Sequence, residues 1–513
     1  MDMKKTLEDV ISLKERVENT SEGYFNSAHL SQAFTPFNEK VFMDIFDWGL
    51  IGAISESPIL LTGDTDRGKT DYAKILMTSL FGEEGWHKTD VDIDFGSNTY
   101  SENDFSALTE GKTSEELFYG KEWLKLPGLI WDEPNRAPAK LLNKLLHILE
   151  KEFTLENGKK IRSGYQNDDK LYQFNILAMN EGDDFKGTNE VDRALRRRQT
   201  IEIPVDTFQS TMHDKLMMNR QRFGELDIKN GDSTIDTILQ LNTSLKEIPI
   251  SPSAEHLKLY LQSMGRCDKS ITGDKWGVDF SEAICEKAIN HSGQNGNYSC
   301  HYRGSYPNNM CPNVYGLTDG VGIKIGNVAR AHALLRATKV IGAAVSKLGI
   351  ADNDDYKKMA AQAKINSEFL KKISDYLSYQ EENGKRQEML VREFARKFSN
   401  KLEVEAQDVR AVLPFVAYSK FRVNPHWVKR TYQGSKWEAV KDITDLAYGK
   451  IQELHSTHPE ISDSIARGVL TSSNLEFINE EYEDDLWMKA SIEAYQPNGH
   501  YGVSAEKVKQ YIL

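Results

Sequence analysis

The sequence predicts an α/β fold in which a sheet carries a phosphate-binding loop, and three observations predict it. The stretch Gly63-Asp64-Thr65-Asp66-Arg67-Gly68-Lys69-Thr70 has the P-loop order of glycine, four residues and Gly-Lys-Thr. It lies between a short apolar run, Pro58 to Leu61, and a helical pattern from Asp71 to Leu80, so strand, loop and helix follow in the order the chemistry needs. Two more apolar runs of strand length, Leu129 to Glu133 and Tyr172 to Met179, deliver the polar residues Asp132, Glu133 and Asn180 at their carboxyl ends. Open α/β sheets bind ligands at that edge.

The loop explains its own composition. Terminal glycines let backbone N–H groups wrap phosphates, Lys69 reaches the β- and γ-phosphates, and the Thr70 hydroxyl can coordinate Mg²⁺. Gly63 to Thr70, with Asp71 in the first helical turn, are therefore the candidate nucleotide-binding residues. Asp132 can share Mg²⁺ with Thr70, and Glu133 can polarise an attacking water. Asn180 supplies an amide that can orient that water without adding charge.

With 513 residues the chain exceeds one core, and its hydrophobic content of 39% and charged content of 27% are those of an ordinary globular protein. No run of about eighteen apolar residues is present, and Met1 to Glu22 is a charged helical pattern without a signal core, which predicts a cytoplasmic protein with no membrane partner. A net charge of −13 argues against broad binding to nucleic acid. Cys267, Cys285, Cys300 and Cys311 fall in one stretch with His291 and His301, but no Cys-x-x-Cys pair marks a zinc site, and reduced thiols are the plainer reading.

In chain order, Thr6 to Val17 and Val41 to Ile54 show helical spacing, with a turn-rich loop expected from Ser21 to Pro36. A second strand is expected at Val91 to Phe95, followed by an inserted feature from Gly96 to Gly120. A helix from Ala139 to Phe153 carries a leucine stripe, and a hairpin turning at Asn157-Gly158 brings a basic tip, Lys159 to Arg162. Arg196, Arg197 and Arg198 precede a strand from Thr200 to Pro204, and an arginine there suits a neighbouring γ-phosphate.

Taken together these stretches resemble the AAA+ ATPases, and within them the MoxR family. The segment Asp132-Glu133-Pro134-Asn135-Arg136-Ala137-Pro138-Ala139 resembles that family's signature after Walker B, and Ala194 to Arg198 resembles its arginine-finger segment, with Arg198 at the matching position and Arg197 beside it. Asn180 matches the sensor-1 position, and Gly326 to Ala331 resembles the lid motif that would make Arg330 the sensor-2 arginine. The chain is also similar to McrB-type GTPases. Departures are the loop interior Asp64 to Arg67, Pro134, and Gln199.

The resemblance implies a P-loop AAA+ core, a parallel sheet sandwiched by helices, with an α-helical lid and a mostly helical C-terminal accessory region. Expected divisions are a helical lead-in over 1–34, a nucleotide-binding core over 35–208, a lid over 209–425 with insertions near 267–315 and 352–400, and an accessory domain over 426–513. It further implies ATP with Mg²⁺, a hexameric homo-oligomeric ring, and a protein client such as a von Willebrand A domain protein. The alternative is a nucleic-acid-stimulated or McrB-like motor, suggested by Arg196 to Arg198 and the basic hairpin.

Overall fold

A computed structural model of the chain describes residues 3–21, 29–34, 40–64, 67–90, 101–103, 118–137, 139–154, 160–168, 170–180, 193–207, 232–264, 313–317, 320–350, 402–466 and 485–492, together with 212, 216, 307, 310, 474, 477 and 480–482. These residues group into two compact units, one formed by Met1–Glu247 with Ala331–Leu402 and the other by Ile248–Arg330 with Glu403–Leu513. Several expected features lie outside the described residues: Thr65, Asp66, the strand at Val91 to Phe95, the turn at Asn157-Gly158, the four cysteines and the 352–400 insertion.

The first unit opens with helix α1 (Met3–Ser21), then strands β1 (His29–Phe34) and β2 (Lys40–Asp44), which pair antiparallel. This corrects two expectations: the stretch read as a loop contains a strand, and helix α2 (Ile45–Ile54) starts only at Ile45. The reason is local. Asp44 caps α2 by accepting from the Asp47 amide while the Asp47 side chain accepts from the Asp44 amide, a reciprocal arrangement that fixes a helix start after an extended segment.

Strand β3 (Ile59–Gly63), helix α3 (Lys69–Phe81) and strand β4 (Trp86–Asp90) follow. Thus the strand after α3 lies just before the expected Val91 to Phe95. Two short strands, β5 (Ser101–Asn103) and β6 (Phe118–Gly120), pair with each other ahead of β7 (Gly128–Asp132). Helix α4 (Ala139–Leu149) ends four residues earlier than its periodicity suggests. Lys151 takes a positive φ of 59°, its amide bonds to Ile148 O, and Phe153 enters strand β8 (Glu152–Thr154), which pairs with β9 (Lys160–Arg162).

The expected long strand from Tyr172 divides in two. Residues Lys170–Tyr172 form β11 in a hairpin with β10 (Tyr165–Asn167), while β12 (Phe174–Asn180) enters the main sheet. Helix α5 (Arg193–Arg198), strand β13 (Ile201–Pro204) and helix α6 (Ile235–Ser244) complete this run.

The main sheet is parallel with strand order β13-β3-β12-β7-β4. All residues of β3 and β12 are buried, as expected for strands covered on both faces. Between the sheet and α4, Trp131, Leu142, Leu145, Leu146, Leu177 and Leu195 form one apolar cluster. Each such fully buried side chain contributes roughly 1.5–3 kcal/mol relative to exposure.

In the second unit, helix α7 (Pro252–Ser263) is capped by Ser251, whose hydroxyl accepts from the Ala254 amide. It is followed by strand β14 (Val314–Leu317) and helix α8 (Val321–Ile350), inside which the boundary between units falls. Helix α9 (Ala406–Ala417), strand β15 (Phe421–Val423), and helices α10 (Pro425–Thr431), α11 (Lys436–Thr457), α12 (Pro459–Ala466) and α13 (Leu486–Ile492) complete the chain's described part. Helix α7 packs against α9, α11, α12 and α13, and β14 pairs antiparallel with β15. Among the described residues no helix is long and apolar enough to cross a membrane.

Candidate functional site

Strand register brings the candidate residues to one edge. In the parallel pairs, Asn180 stands beside Gly63, Ala178 beside Asp132, and Asp90 beside Asp132. The chain leaves β3 through α3 and returns at β4, three strands away at the sheet's far edge, so a crevice opens at the carboxyl ends of β3 and β12. A cavity of about 310 Å³ lies there, lined by Arg67, Gly68, Lys69, Thr70 and Asp71 from the loop and α3, and by Asp132, Glu133 and Asn180 from the strands.

Two glycines make the loop possible. Gly68 caps α3 at φ 72°, a left-handed conformation that leaves the first amides of the helix facing the cavity. Gly63 has φ 140°, and a Cβ there would stand 2.6 Å from Asp206 Oδ2 and 2.5 Å from the Val205 side chain.

Lys69 points into this site rather than to bulk water. Its ammonium donates to Gly63 O at 2.9 Å, to Asp64 O, and to Asn180 Oδ1 at 2.8 Å. Burial pulls its pKa below that of a free lysine, against the opposing attraction of Asp206, Asp132, Asp64 and Glu133. The same Asn180 donates through Nδ2 to Glu133 Oε1 at 2.6 Å, so one amide ties the loop cation to the strand-end acid. Glu133 takes a left-handed backbone, φ 52° and ψ 48°, while its amide bonds to Ala178 O at 2.7 Å. Strain of about 1–3 kcal/mol is typical of such a non-glycine residue, and it clusters at functional sites.

Three neighbours were given no role at the site by the sequence reading. Arg136 holds the other Glu133 oxygen, Nε to Oε2 at 2.8 Å. Lys88, from the edge strand β4, stands 3.0 Å from Asp132 and also pairs with Asp90. Burial opposes its charge, but those two carboxylates outweigh burial and hold its pKa above the free value. Asp206, just beyond β13, accepts from the Asp64 amide at 3.0 Å and pairs with Arg67 at 3.2 Å. The period-2 position of Lys88 and the carboxyl-end position of Asp206 were the available signals.

The cavity suits a nucleoside triphosphate and a divalent cation. Thr70 Oγ1 lies 3.2 Å from both Asp132 carboxylate oxygens, a convergence of hard oxygen donors appropriate to Mg²⁺. Glycine-lined space, helix-start amides and the Lys69 charge suit phosphate.

No family model and no curated protein matches the sequence. Among solved structures the chain is similar to that of a "putative ATPase" from Cytophaga hutchinsonii, with a TM-score of 0.50 and 14% identity over 86% of this chain and 97% of that one. The likeness and the five-stranded parallel sheet decide the fold. The chain has an α/β P-loop fold, a five-stranded parallel sheet flanked by helices, with a helical C-terminal region.

The remaining predicted residues sit elsewhere. Arg198, on α5, pairs with Glu150 at 2.7 Å and does not line the cavity, while the Arg197 side chain lies outside the described residues. Arg196 is committed to the buried Glu202 at 2.6 Å. Arg330 belongs to the second unit, where Nε donates to Ile248 O at 3.0 Å. Burial lowers its pKa, with Glu255 opposing.

Proposed function

We propose that this chain is an ATP hydrolase, working as a MoxR-like AAA+ ATPase in a ring whose neighbouring subunits complete each site. The observation that supports it is the convergence of Lys69, Thr70, Asp132, Glu133 and Asn180 on one cavity. Lys69 and the first amides of α3 bind the phosphates and screen their charge. Thr70 and Asp132 would hold Mg²⁺, which would supply further charge neutralisation at the phosphates. Glu133, aimed by Asn180 and Arg136, draws a proton from the attacking water. Asn180, touching both Lys69 and Glu133, keeps phosphate cation and base in fixed spacing.

In this reading Arg198 and its neighbour Arg197 act on the next subunit's nucleotide, and Arg330 senses the γ-phosphate from the lid. The Arg198–Glu150 pair is partly exposed, and pairs of that kind are worth at most about 1 kcal/mol, so a phosphate can displace Glu150. Hydrolysis would then drive remodelling of a protein client, a von Willebrand A domain protein being the class the resemblance suggests.

Replacing Glu133 with Gln is expected to lower kcat about 10²–10⁴-fold while ATP still binds. Undiminished turnover in that variant sinks the assignment. The same variant with ATP, sized by sedimentation and used to capture a client, tests the ring and the partner. Steep, salt-sensitive stimulation of turnover by DNA or RNA would instead favour the motor reading.

A further inference from the structure

The loop interior that departs from the MoxR pattern has a structural partner. Arg67 lines the phosphate cavity, yet its Nε lies 3.2 Å from Asp206 Oδ1 and its Nη2 lies 3.9 Å from Asp64 Oδ2. The other Asp206 oxygen accepts from the Asp64 amide at 3.0 Å. Asp206 can come so close only because residue 63 is glycine, whose missing Cβ would otherwise meet that oxygen at 2.6 Å. One carboxylate therefore holds two donors of a loop whose donors serve anions.

Resting on the ATPase reading above, we propose that Arg67 is a phosphate-binding cation within the loop, and that Asp206 is its counter-ion, which the incoming triphosphate displaces. Both partners are well exposed, with side chains 50% and 41% accessible. An ion pair in that setting is weak. A triphosphate carries more charge and several acceptor oxygens, and guanidinium–phosphate contacts are among the stronger charge-assisted bonds. Thus the exchange runs toward phosphate when nucleotide is present and back to Asp206 when it leaves. Nucleotide affinity is then set by a competition internal to the loop.

Calorimetric titration of the full chain with the magnesium complex of adenylyl-imidodiphosphate, which is not hydrolysed, tests this. Asp206→Asn keeps an oxygen to accept from the Asp64 amide but removes the competing charge, and is expected to tighten binding about two- to fivefold. Arg67→Gln should weaken it about tenfold, and Arg67→Lys should recover part of that loss. The Asp206→Asn gain should vanish in the double variant with Arg67→Gln. Unchanged or weaker binding by Asp206→Asn, at an unaltered melting temperature, overturns the proposal in favour of a loop anchor. If Asp206→Asn melts lower, persistence of its effect on affinity in the double variant overturns it equally. Wild-type protein that binds no better than Lys69→Ala would overturn the ATPase reading itself, a result distinguishable from either.

Discussion

Two polar clusters, one in each unit, use similar residue types to opposite ends. At the carboxyl edge of the first unit's sheet, Lys69, Asp132, Glu133 and Arg67 converge on a cavity, and several of their bonds are to groups that a phosphate or cation would replace. Inside the second unit, His256 on α7 bonds through Nδ1 to His455 Nε2 at 3.1 Å and through Nε2 to the Ser491 hydroxyl at 3.0 Å, while His455 reaches Ser462. Nearby, Tyr260 donates to Asp485 at 3.2 Å, and Lys450 pairs with the same carboxylate. Every partner in that second cluster comes from a helix packed on α7 or the turn leading into one. The difference teaches that convergence on open space, rather than mere burial of charge, distinguishes a site from a polar core.

The comparison can be broken in three ways. The largest effect is expected at Lys69→Ala, which removes the cation bonded to Asn180 and the loop carbonyls. Nucleotide binding should fall at least about a hundredfold with the melting temperature little changed, because a site residue contributes to the ligand more than to the fold. A melting temperature that collapses along with binding would erase the distinction between the clusters.

His256→Ala should do the reverse. Truncating a fully buried ring that bridges α7 to α11 and α13 removes one hydrogen-bond partner each from His455 and Ser491 and opens a cavity, at an expected cost of about 2–4 kcal/mol in denaturant unfolding. Nucleotide affinity should stay within about twofold of wild type at temperatures where the variant is folded.

The smallest effect is the acid response of the same pair. Burial, with His455 adding a like-charge penalty, pushes His256 down to about 3, and burial pushes His455 to about 4. Unfolded histidines take up protons near pH 6.5 while these two stay neutral, so their contribution is fully present above that pH. It is lost as the pH falls toward 4 and then 3. Unfolding free energy should drop by at most about 2 kcal/mol for each of the two histidines between pH 7 and pH 5, with a shallower fall in His256→Asn. An identical slope in both proteins would count against the buried neutral pair.

Much of the first cluster was legible because its residues are local. Gly63, Gly68, Lys69 and Thr70 are neighbours in sequence, and Asp132, Glu133 and Asn180 each end an apolar run, so strand polarity alone sends them to the same edge. Strand β4 escaped notice because, among the described residues, it pairs only with β7 at the sheet's edge. An edge strand is half exposed, and Trp-His-Lys-Thr-Asp lacks the apolar run of a central one. The end of α4 was misplaced because Lys151 adopts a left-handed turn and its side chain is held by Glu56 and by Leu171 O, contacts far away in sequence.

By itself, the sequence determined the glycine-bounded loop between strand and helix, the acids at the strand ends that face it and the α/β class, since each follows from a spacing or a periodicity within a few residues. Only the tertiary structure decided that Asp206 stands over Gly63 and Arg67, that Lys88 reaches Asp132, and that Asn180 joins Lys69 to Glu133. The physical reason is strand order. Parallel strands bring together residues separated by 44 to 142 positions, and which strands become neighbours depends on how the helices between them cover the sheet.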